Sequence, residues 1–192
     1  TRTDYASAED FLRNYSYTVP AGFNFARDVI DEYARLAPDQ LALLWTNELG
    51  EERRFTFSDM RRLSIKAANA LTTLGVRPNE PVILMLKRRY EYWLCSLGLM
   101  RIGAIQVPAT HQLQEKDIVY RVNSADASAI ITVGEGEILE HVRRAWPQCP
   151  GLNTVAALGG PHEGFEDFDS IFENAPEEMG ACFQPNEGDV ML

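Results

Sequence analysis

The residues with the clearest chemical potential form a glycine turn, Gly134-Glu135-Gly136, which follows an apolar run and precedes a helical pattern. A glycine-rich turn between a strand and a helix lets backbone amides approach a phosphate group, so this turn could open a dinucleotide site. However, Leu139 replaces the third glycine of that motif, and Glu135 and Glu137 would place negative charge beside a pyrophosphate. A tight strand-to-helix turn explains both glycines without a ligand. The sequence contains no P-loop of the form Gly-x-x-x-x-Gly-Lys-Ser/Thr.

Acidic residues, histidines and cysteines form no recognisable catalytic or metal-binding motif. The acidic cluster lacks the spacing and the closing glutamate of a helix–loop–helix calcium site, so we expect a solvated loop there. The histidines show no H-E-x-x-H pattern, no serine stands in a Gly-x-Ser-x-Gly elbow, and the cysteines form no C-x-x-C pair. We expect the cysteines to be reduced thiols. The residues are Glu163, Glu166, Asp167 and Asp169; His111, His141 and His162; and Cys95, Cys149 and Cys182.

The composition is that of an ordinary globular protein with an excess of acidic groups. Hydrophobic residues make up 45% and charged residues 24% of the 192 residues, and the formal net charge is −10. Because nucleic-acid binding needs a basic face that neutralises phosphates, this charge argues against a nucleic-acid partner. No apolar stretch approaches the roughly 20 residues of a membrane span. The first residues show no secretory signal, so we expect a cytoplasmic location.

Alternating strand and helix patterns predict an α/β fold with a mixed, largely parallel sheet flanked by helices. Residues 1–23 are expected to form an N-terminal arm, and residues 24–192 an incomplete α/β domain. Helices are predicted at about 7–14, 24–37, 58–74, 90–102, 115–123, 135–146 and 168–173. Strands are predicted at about 41–45, 53–56, 81–86, 104–107, 129–133 and 154–158, with the start of another at 189–192.

Several residues predict where these elements begin and end. Asn24 and Thr56 precede helical patterns and can cap them, and Asp59 stands where a capping box needs an acidic partner for Thr56. Gly103 permits a sharp turn from a helix into a strand, and Pro108 ends that strand.

Two of these stretches resemble core motifs of the adenylate-forming enzymes. Phe55-Thr56-Phe57-Ser58-Asp59-Met60 is similar to their first motif, with Met60 where leucine is usual. The stretch 99–108, a buried helix end followed by Gly-Ala, an apolar strand and proline, resembles the second. The stretches 19–29 and 117–121 are similar to medium-chain acyl-CoA synthetases of the butyrate–CoA ligase type.

The resemblance implies that the chain is part of the large N-terminal domain of an acyl-CoA synthetase. Such an enzyme uses ATP, Mg²⁺, CoA and a small-molecule carboxylic acid. It forms an acyl-adenylate with release of pyrophosphate, and the CoA thiolate then attacks that mixed anhydride. In the family, a Ser/Thr/Gly-rich phosphate-binding loop follows a strand that begins much as Gly188-Asp189 does here. We therefore expect the 192-residue segment to stop before that loop, to hold no catalytic residue and to be inactive alone.

The resemblance also indicates a candidate contact with CoA. The loop after Pro108 corresponds to a region near the CoA channel of relatives, where Thr110 and His111 would touch pantetheine or its phosphates. Alternatively, their side chains satisfy only local backbone groups. Some relatives bind the CoA nucleotide with arginines after the strand that matches 129–133, where this chain has Glu135 and Glu137. Two other hypotheses stay open, a self-contained nucleotide- or CoA-binding module and an interaction module with an exposed sheet edge.

Overall fold

The structure, a computed structural model, describes residues 2–16, 18–186 and 188–189. The strand expected at 189–192 lies, apart from Asp189, outside these residues. The helices are α1 (Ala8–Asn14), α2 (Glu32–Leu36), α3 (Phe57–Thr73), α4 (Glu91–Ile102), α5 (Glu115–Ala125), α6 (Ile138–Ala145) and α7 (Phe168–Asn174). A π-helical turn, Ala26–Asp31, leads into α2, and a 3-10 turn, Trp146–Gln148, follows α6. The strands are β1 (Leu41–Thr46), β2 (Glu52–Thr56), β3 (Pro81–Met85), β4 (Ile105–Pro108), β5 (Ala129–Val133), β6 (Thr154–Leu158) and β7 (Glu166–Asp167).

The strands form two sheets, as the sequence patterns predict. β1 and β2 pair as an antiparallel hairpin. The other five strands form a parallel sheet in the order β4-β3-β5-β6-β7. Ile83 at the centre of β3 pairs with Val107 on one side and Ile130 on the other. All of β5 and nearly all of β3 and β6 are buried, which confirms that these apolar runs are interior parallel strands.

Helices cover both faces of the parallel sheet. α3 packs against α4 and α7 on one face, and α5 packs against α6 on the other. The closest approach is between α3 and α4, where a Cβ added at Gly98 would lie 2.9 Å from the backbone nitrogen of Ala68. Gly98 therefore sets the spacing of these two helices.

The predicted capping residues make the expected hydrogen bonds. Thr56 Oγ1 accepts from the Asp59 amide at 3.1 Å, and the Asp59 carboxylate accepts from the Thr56 amide at 3.0 Å. The Thr56 backbone N–H is the main reason that the pKa of Asp59 lies below its usual value. Asn24 Oδ1 accepts from the Ala26 amide at 3.1 Å, and its Nδ2 donates to the Met100 carbonyl at 2.8 Å.

An ion pair with a buried guanidinium joins the N-terminal helical segment to α4. The side chain of Arg101 is only 1% exposed and that of Asp31 is 25% exposed, and the two terminal nitrogens of Arg101 donate to the Asp31 carboxylate at 3.0 and 2.6 Å. Its Nε donates to Ser64 Oγ of α3 at 2.9 Å. We call Arg101 and Asp31 the buried pair. Since these donors are matched to acceptors, the desolvated guanidinium is compensated.

The structure corrects three details. The acidic stretch is not simply a solvated loop, because Glu166–Asp167 forms the edge strand β7 and Asp167 caps α7 by accepting from the Ser170 amide at 3.1 Å. α6 begins at Ile138, three residues later than expected, because Gly136 has a left-handed φ of 63°. The apolar stripe predicted along 24–37 is only partly buried. Ile30 is 7% exposed, whereas Phe25, Tyr33 and Leu36 are exposed.

Candidate functional site at the carboxyl edge of the sheet

The strand order identifies one edge of the sheet as the place where a ligand would bind. The chain passes from β3 to β4 on one side and then returns to β5 on the other side of β3. In open α/β sheets, ligands bind beyond the carboxyl ends of the strands where the order reverses in this way. Here that position lies beyond the ends of β3 and β5.

The segment after β3 brings basic side chains to this position. Lys87 adopts a left-handed φ of 54°, which is uncommon for a residue other than glycine. The segment is tied to the hairpin, since Trp45 Nε1 donates to the Arg88 carbonyl at 2.6 Å. Arg89 is oriented by Glu91 at the start of α4, whose carboxylate accepts from Arg89 Nη2 at 2.8 Å. Glu91 therefore holds Arg89 in place before any ligand arrives.

Glu135, in the glycine turn after β5, contacts both cations. One carboxylate oxygen accepts from Lys87 Nζ, and the other accepts from Arg89 Nη1 at 3.4 Å. Chiefly because of Lys87, the pKa of Glu135 lies below its usual value. We call Lys87, Arg89, Glu91 and Glu135 the edge cluster. Its two cations and two carboxylates balance, so the negative charge of Glu135 does not stand alone beside the turn, and Asp169 adds a further negative charge that acts on Arg89.

The end of β6 presents backbone donors to the same edge. The amides of Gly159 and Gly160 donate to the Asp169 carboxylate at 2.7 and 3.0 Å. Both glycines have left-handed φ angles, 102° and 92°, which bring successive amides to one acceptor. Asp169 is the carboxylate that these amides bind in the structure.

Two buried polar atoms lie next to the glycine turn without a hydrogen-bond partner. They are Thr132 Oγ1, two residues before the turn, and His162 Nε2. The His162 ring lies directly over Gly134, so any side chain at that position would overlap it. Unpartnered buried polar atoms are uncommon in native proteins.

The predicted CoA contacts, Thr110 and His111, lie in the loop after β4, at the same edge. Thr110 is exposed, and its hydroxyl accepts from the Gln112 amide at 3.2 Å. His111 is half-buried. α6 connects this loop to the glycine turn, since His141 Nδ1 lies 3.1 Å from the Leu113 carbonyl. The local hydrogen bond of Thr110 fits a turn, and it leaves the hydroxyl proton available to a ligand.

Comparison with known proteins identifies the family to which the chain belongs. A protein-family model described as "AMP-binding enzyme" matches residues 30–185, which make up most of this chain. The chain belongs to the AMP-binding enzyme family. The adenylate-forming resemblance of the two core motifs is thereby confirmed.

Several relatives within this family are acyl-coenzyme A synthetases. The mitochondrial synthetase ACSM1 of Homo sapiens is 36% identical over 183 residues, which cover 92% of this chain and 31% of that protein. ACSM3 of Pongo abelii is 30% identical over 198 residues, which cover all of this chain and 33% of that protein. The chain therefore spans about a third of the length of these relatives.

Solved structures of family members share the fold. An anthranilate CoA ligase, AuaEII, in complex with anthranoyl-AMP, superposes with a TM-score of 0.78 at 25% identity over 90% of this chain and 32% of the ligase. An acyl-CoA synthetase of Brucella canis superposes with a TM-score of 0.79 at 21% identity over 96% of this chain and 35% of that protein. This confirms the α/β fold with a largely parallel sheet.

The described part of this AMP-binding enzyme shows no metal centre and no membrane helix. Within it, no three His, Cys, Asp or Glu side chains are grouped so that they could hold a metal ion. Nor does any helix in residues 2–16, 18–186 and 188–189 combine the length and apolar character that a membrane crossing needs.

Sequence reasoning found the glycine turn of this family member but missed its partners. Neither Lys87 nor Arg89 was identified as a partner of Glu135, because these contacts join residues 48 and 46 positions apart. One signal was available. Basic residues directly follow the buried strand β3, and the carboxyl ends of parallel strands meet at one edge.

Proposed function

We propose that this chain is the N-terminal portion of an ATP-dependent carboxylic acid–CoA ligase of the medium-chain type. The observation that supports the proposal is the family match over residues 30–185, together with acyl-coenzyme A synthetase relatives that align with the whole chain. The ligase would join a carboxylate to ATP, releasing pyrophosphate and forming an acyl-adenylate. The CoA thiolate would then attack the acyl carbon and release AMP.

The role of the described residues is to build and orient one wall of that enzyme. The parallel sheet carries the loops after β3, β4 and β5 to one edge. Thr110 and His111 would bind CoA there, with the hydroxyl and the imidazole as polar partners for pantetheine or its phosphates. We assign ATP and Mg²⁺ contacts to residues other than those described here, in line with the expected position of the phosphate-binding loop.

The direct test is carboxylate-dependent exchange of pyrophosphate into ATP. We expect the full-length protein that contains this chain to catalyse exchange with short- or medium-chain acids, and the 192-residue chain to catalyse none. Lack of exchange by the full-length protein with every acid tested would contradict the ligase proposal. Exchange by the chain alone would show that its own residues bind the phosphates.

The CoA contact is tested separately, in the thioester-forming step. His111→Ala in the full-length protein should raise the KM for CoA about tenfold, equivalent to about 1.4 kcal/mol, while leaving pyrophosphate exchange unchanged. Gln112→Ala, which alters the exposed neighbouring side chain, is the matched control and should change neither quantity. An unchanged KM for CoA in His111→Ala would remove this residue from the proposed site.

The cellular location belongs to the same proposal. The sequence predicts a cytoplasmic protein, whereas the relatives ACSM1 and ACSM3 are named as mitochondrial. Fractionation of cells that express the full-length protein distinguishes the two. Recovery in mitochondria would overturn the cytoplasmic prediction.

A second candidate is a self-contained nucleotide- or CoA-binding module. The observation in its favour is that Lys87 and Arg89 pair with Glu135, which lessens the repulsion expected between the glycine turn and a pyrophosphate. Calorimetry of the isolated chain with CoA, ATP and NAD decides the matter. Micromolar binding would support the module.

A further inference from the structure

The two cations of the edge cluster hold the Glu135 carboxylate in the way that a phosphate group would be held. Glu135 reaches Lys87 with one oxygen and Arg89 with the other, so a single anionic group spans two cations from the segment after β3. Phosphate oxygens bind lysine and arginine side chains in the same manner. Glu135 lies in the turn after a different strand, β5, and it contacts the cations only through its side chain.

The contacts of Glu135 are of the kind that exchange readily. Its side chain is 47% exposed, and those of Lys87 and Arg89 are 32% and 30% exposed. Ion pairs at this level of exposure contribute little to stability. An anion from solution can therefore replace Glu135 at small cost to the fold.

Arg89 would keep its position after Glu135 had left. It remains held by Glu91, whose side chain is only 12% exposed. The left-handed backbone at Lys87 sets the direction in which its side chain leaves the chain, and Lys87 Nζ would exchange Glu135 for the ligand. Preorganised donors lose little freedom when a ligand binds, which favours an anion at this position.

The neighbouring helix adds to the preference for an anion over a cation. α6 starts directly after the glycine turn, and Glu137 at its N-cap makes no side-chain capping hydrogen bond. Its first amides and the positive end of its dipole therefore add a favourable field. Both carboxylates of the edge cluster are already paired with cations, and they lie in no group of acidic side chains that could hold a metal within the described residues.

We propose that Lys87 and Arg89 form a binding site for a phosphate or diphosphate group, and that Glu135 is the resident carboxylate that this ligand displaces. The ligand class is an organic phosphate with an accessible terminal phosphate or diphosphate. The proposal goes beyond the ligase assignment and does not depend on it, because it concerns the affinity of the described edge for an anion rather than any reaction.

Calorimetric titration of the chain with inorganic pyrophosphate in about 0.15 M salt, where the Debye length is only about 8 Å, tests the proposal. Glu135→Gln removes the competing carboxylate and should bind pyrophosphate about tenfold more tightly than the wild type, since charge-assisted hydrogen bonds are among the strongest polar contacts. Lys87→Gln should bind about tenfold more weakly than the wild type for the same reason. Circular dichroism and thermal unfolding of each variant verify that all have the same fold.

The chain offers a matched control for each substitution. Glu137→Gln removes the same charge two residues away, and Arg88→Gln removes a basic charge beside Lys87. Each should change the affinity by less than about twofold, because long-range charge effects are weak between exposed groups. Equal affinities for the wild type and Glu135→Gln would overturn the proposal. So would a gain in Glu137→Gln as large as that in Glu135→Gln, because net charge alone would then explain the result.

Three further titrations of Glu135→Gln identify the source of the phosphate. Pantetheine, which carries no phosphate, should not bind. Tighter binding of CoA than of ATP would assign the site to the CoA phosphates, and the reverse order would assign it to a nucleoside triphosphate. Binding of pantetheine as tight as that of CoA and ATP would contradict a phosphate site.

Discussion

The buried pair and the edge cluster both join basic side chains to carboxylates, but they differ in the exposure of their cations. In the buried pair, Arg101 is 1% exposed, and its donors are matched by Asp31 and Ser64. In the edge cluster, the Lys87 and Glu135 side chains are 32% and 47% exposed. A desolvated charge is strongly destabilising when its partner is removed, whereas an exposed charge is rehydrated. Burial therefore separates a scaffold contact from an exchangeable one.

The largest effect is expected from breaking the buried pair. Asp31→Ala leaves the Arg101 guanidinium desolvated and unpaired, so we expect a loss of about 3 kcal/mol in the free energy of unfolding. Urea denaturation measures the change. Glu32→Ala is the matched control, since Glu32 is exposed and pairs only with Arg35 on the surface. It should cost less than about 1 kcal/mol. Equal costs for the two substitutions would remove the contrast on which the comparison rests.

The next largest effect tests the helix layer that carries the buried pair. Gly98→Ala places a methyl group 2.9 Å from the Ala68 backbone nitrogen and forces α3 and α4 apart. Overpacking costs about 1–3 kcal/mol, which exceeds the gain of about 1 kcal/mol from replacing a helical glycine. Thermal unfolding should show a lower Tm. Gly180→Ala, where the added methyl meets open space, should leave the Tm nearly unchanged.

The start of α3 provides a smaller effect with a pH signature. Hydrogen bonding lowers the pKa of Asp59, so the charged carboxylate contributes stability above its unfolded pKa of about 3.9 and loses that contribution as the pH falls through the folded value. Asp59→Asn should therefore be less stable than the wild type at pH 7, by about 1 kcal/mol, and nearly as stable at about pH 2. Urea denaturation at both pH values measures the difference. A constant difference between the two pH values would contradict this assignment.

The smallest effect is expected at the edge cluster. Glu135→Gln should change the free energy of unfolding by less than about 1 kcal/mol, because all three charges are partly hydrated. The difference should shrink further in 0.5 M salt, which screens exposed pairs. Urea denaturation at low and high salt measures it. A loss comparable to that of Asp31→Ala would mean that Glu135 is structural and is not replaced by a ligand.

The sequence predicted the interior of the molecule better than its edge. The bounds of β5 and β6 were predicted correctly, because apolar runs of strand length buried on both faces leave a clear signal. β7 was missed, since two acidic residues show no periodicity and pair only because β6 is already in place. The same limit applies to the site. The glycine turn is a local pattern, whereas the pairing of Glu135 with Lys87 depends on how β3 and β5 align.

The predictions about ligands also show what the sequence indicates and what depends on tertiary structure. Thr110 and His111 were chosen by family resemblance, and the structure places them in the loop after β4, at the carboxyl edge. From the sequence, Glu135 was expected, with Glu137, to place negative charge beside a pyrophosphate. Its neutralisation by Lys87 and Arg89 follows from tertiary structure alone.

The most direct test of the distinction between the buried pair and the edge cluster is an NMR titration of the isotope-labelled chain with pyrophosphate. We expect amide shifts to change in the segments 87–91 and 134–138 and to stay constant around Asp31 and Arg101. Shift changes centred on the buried pair, or none in the loops after β3 and β5, would contradict the account.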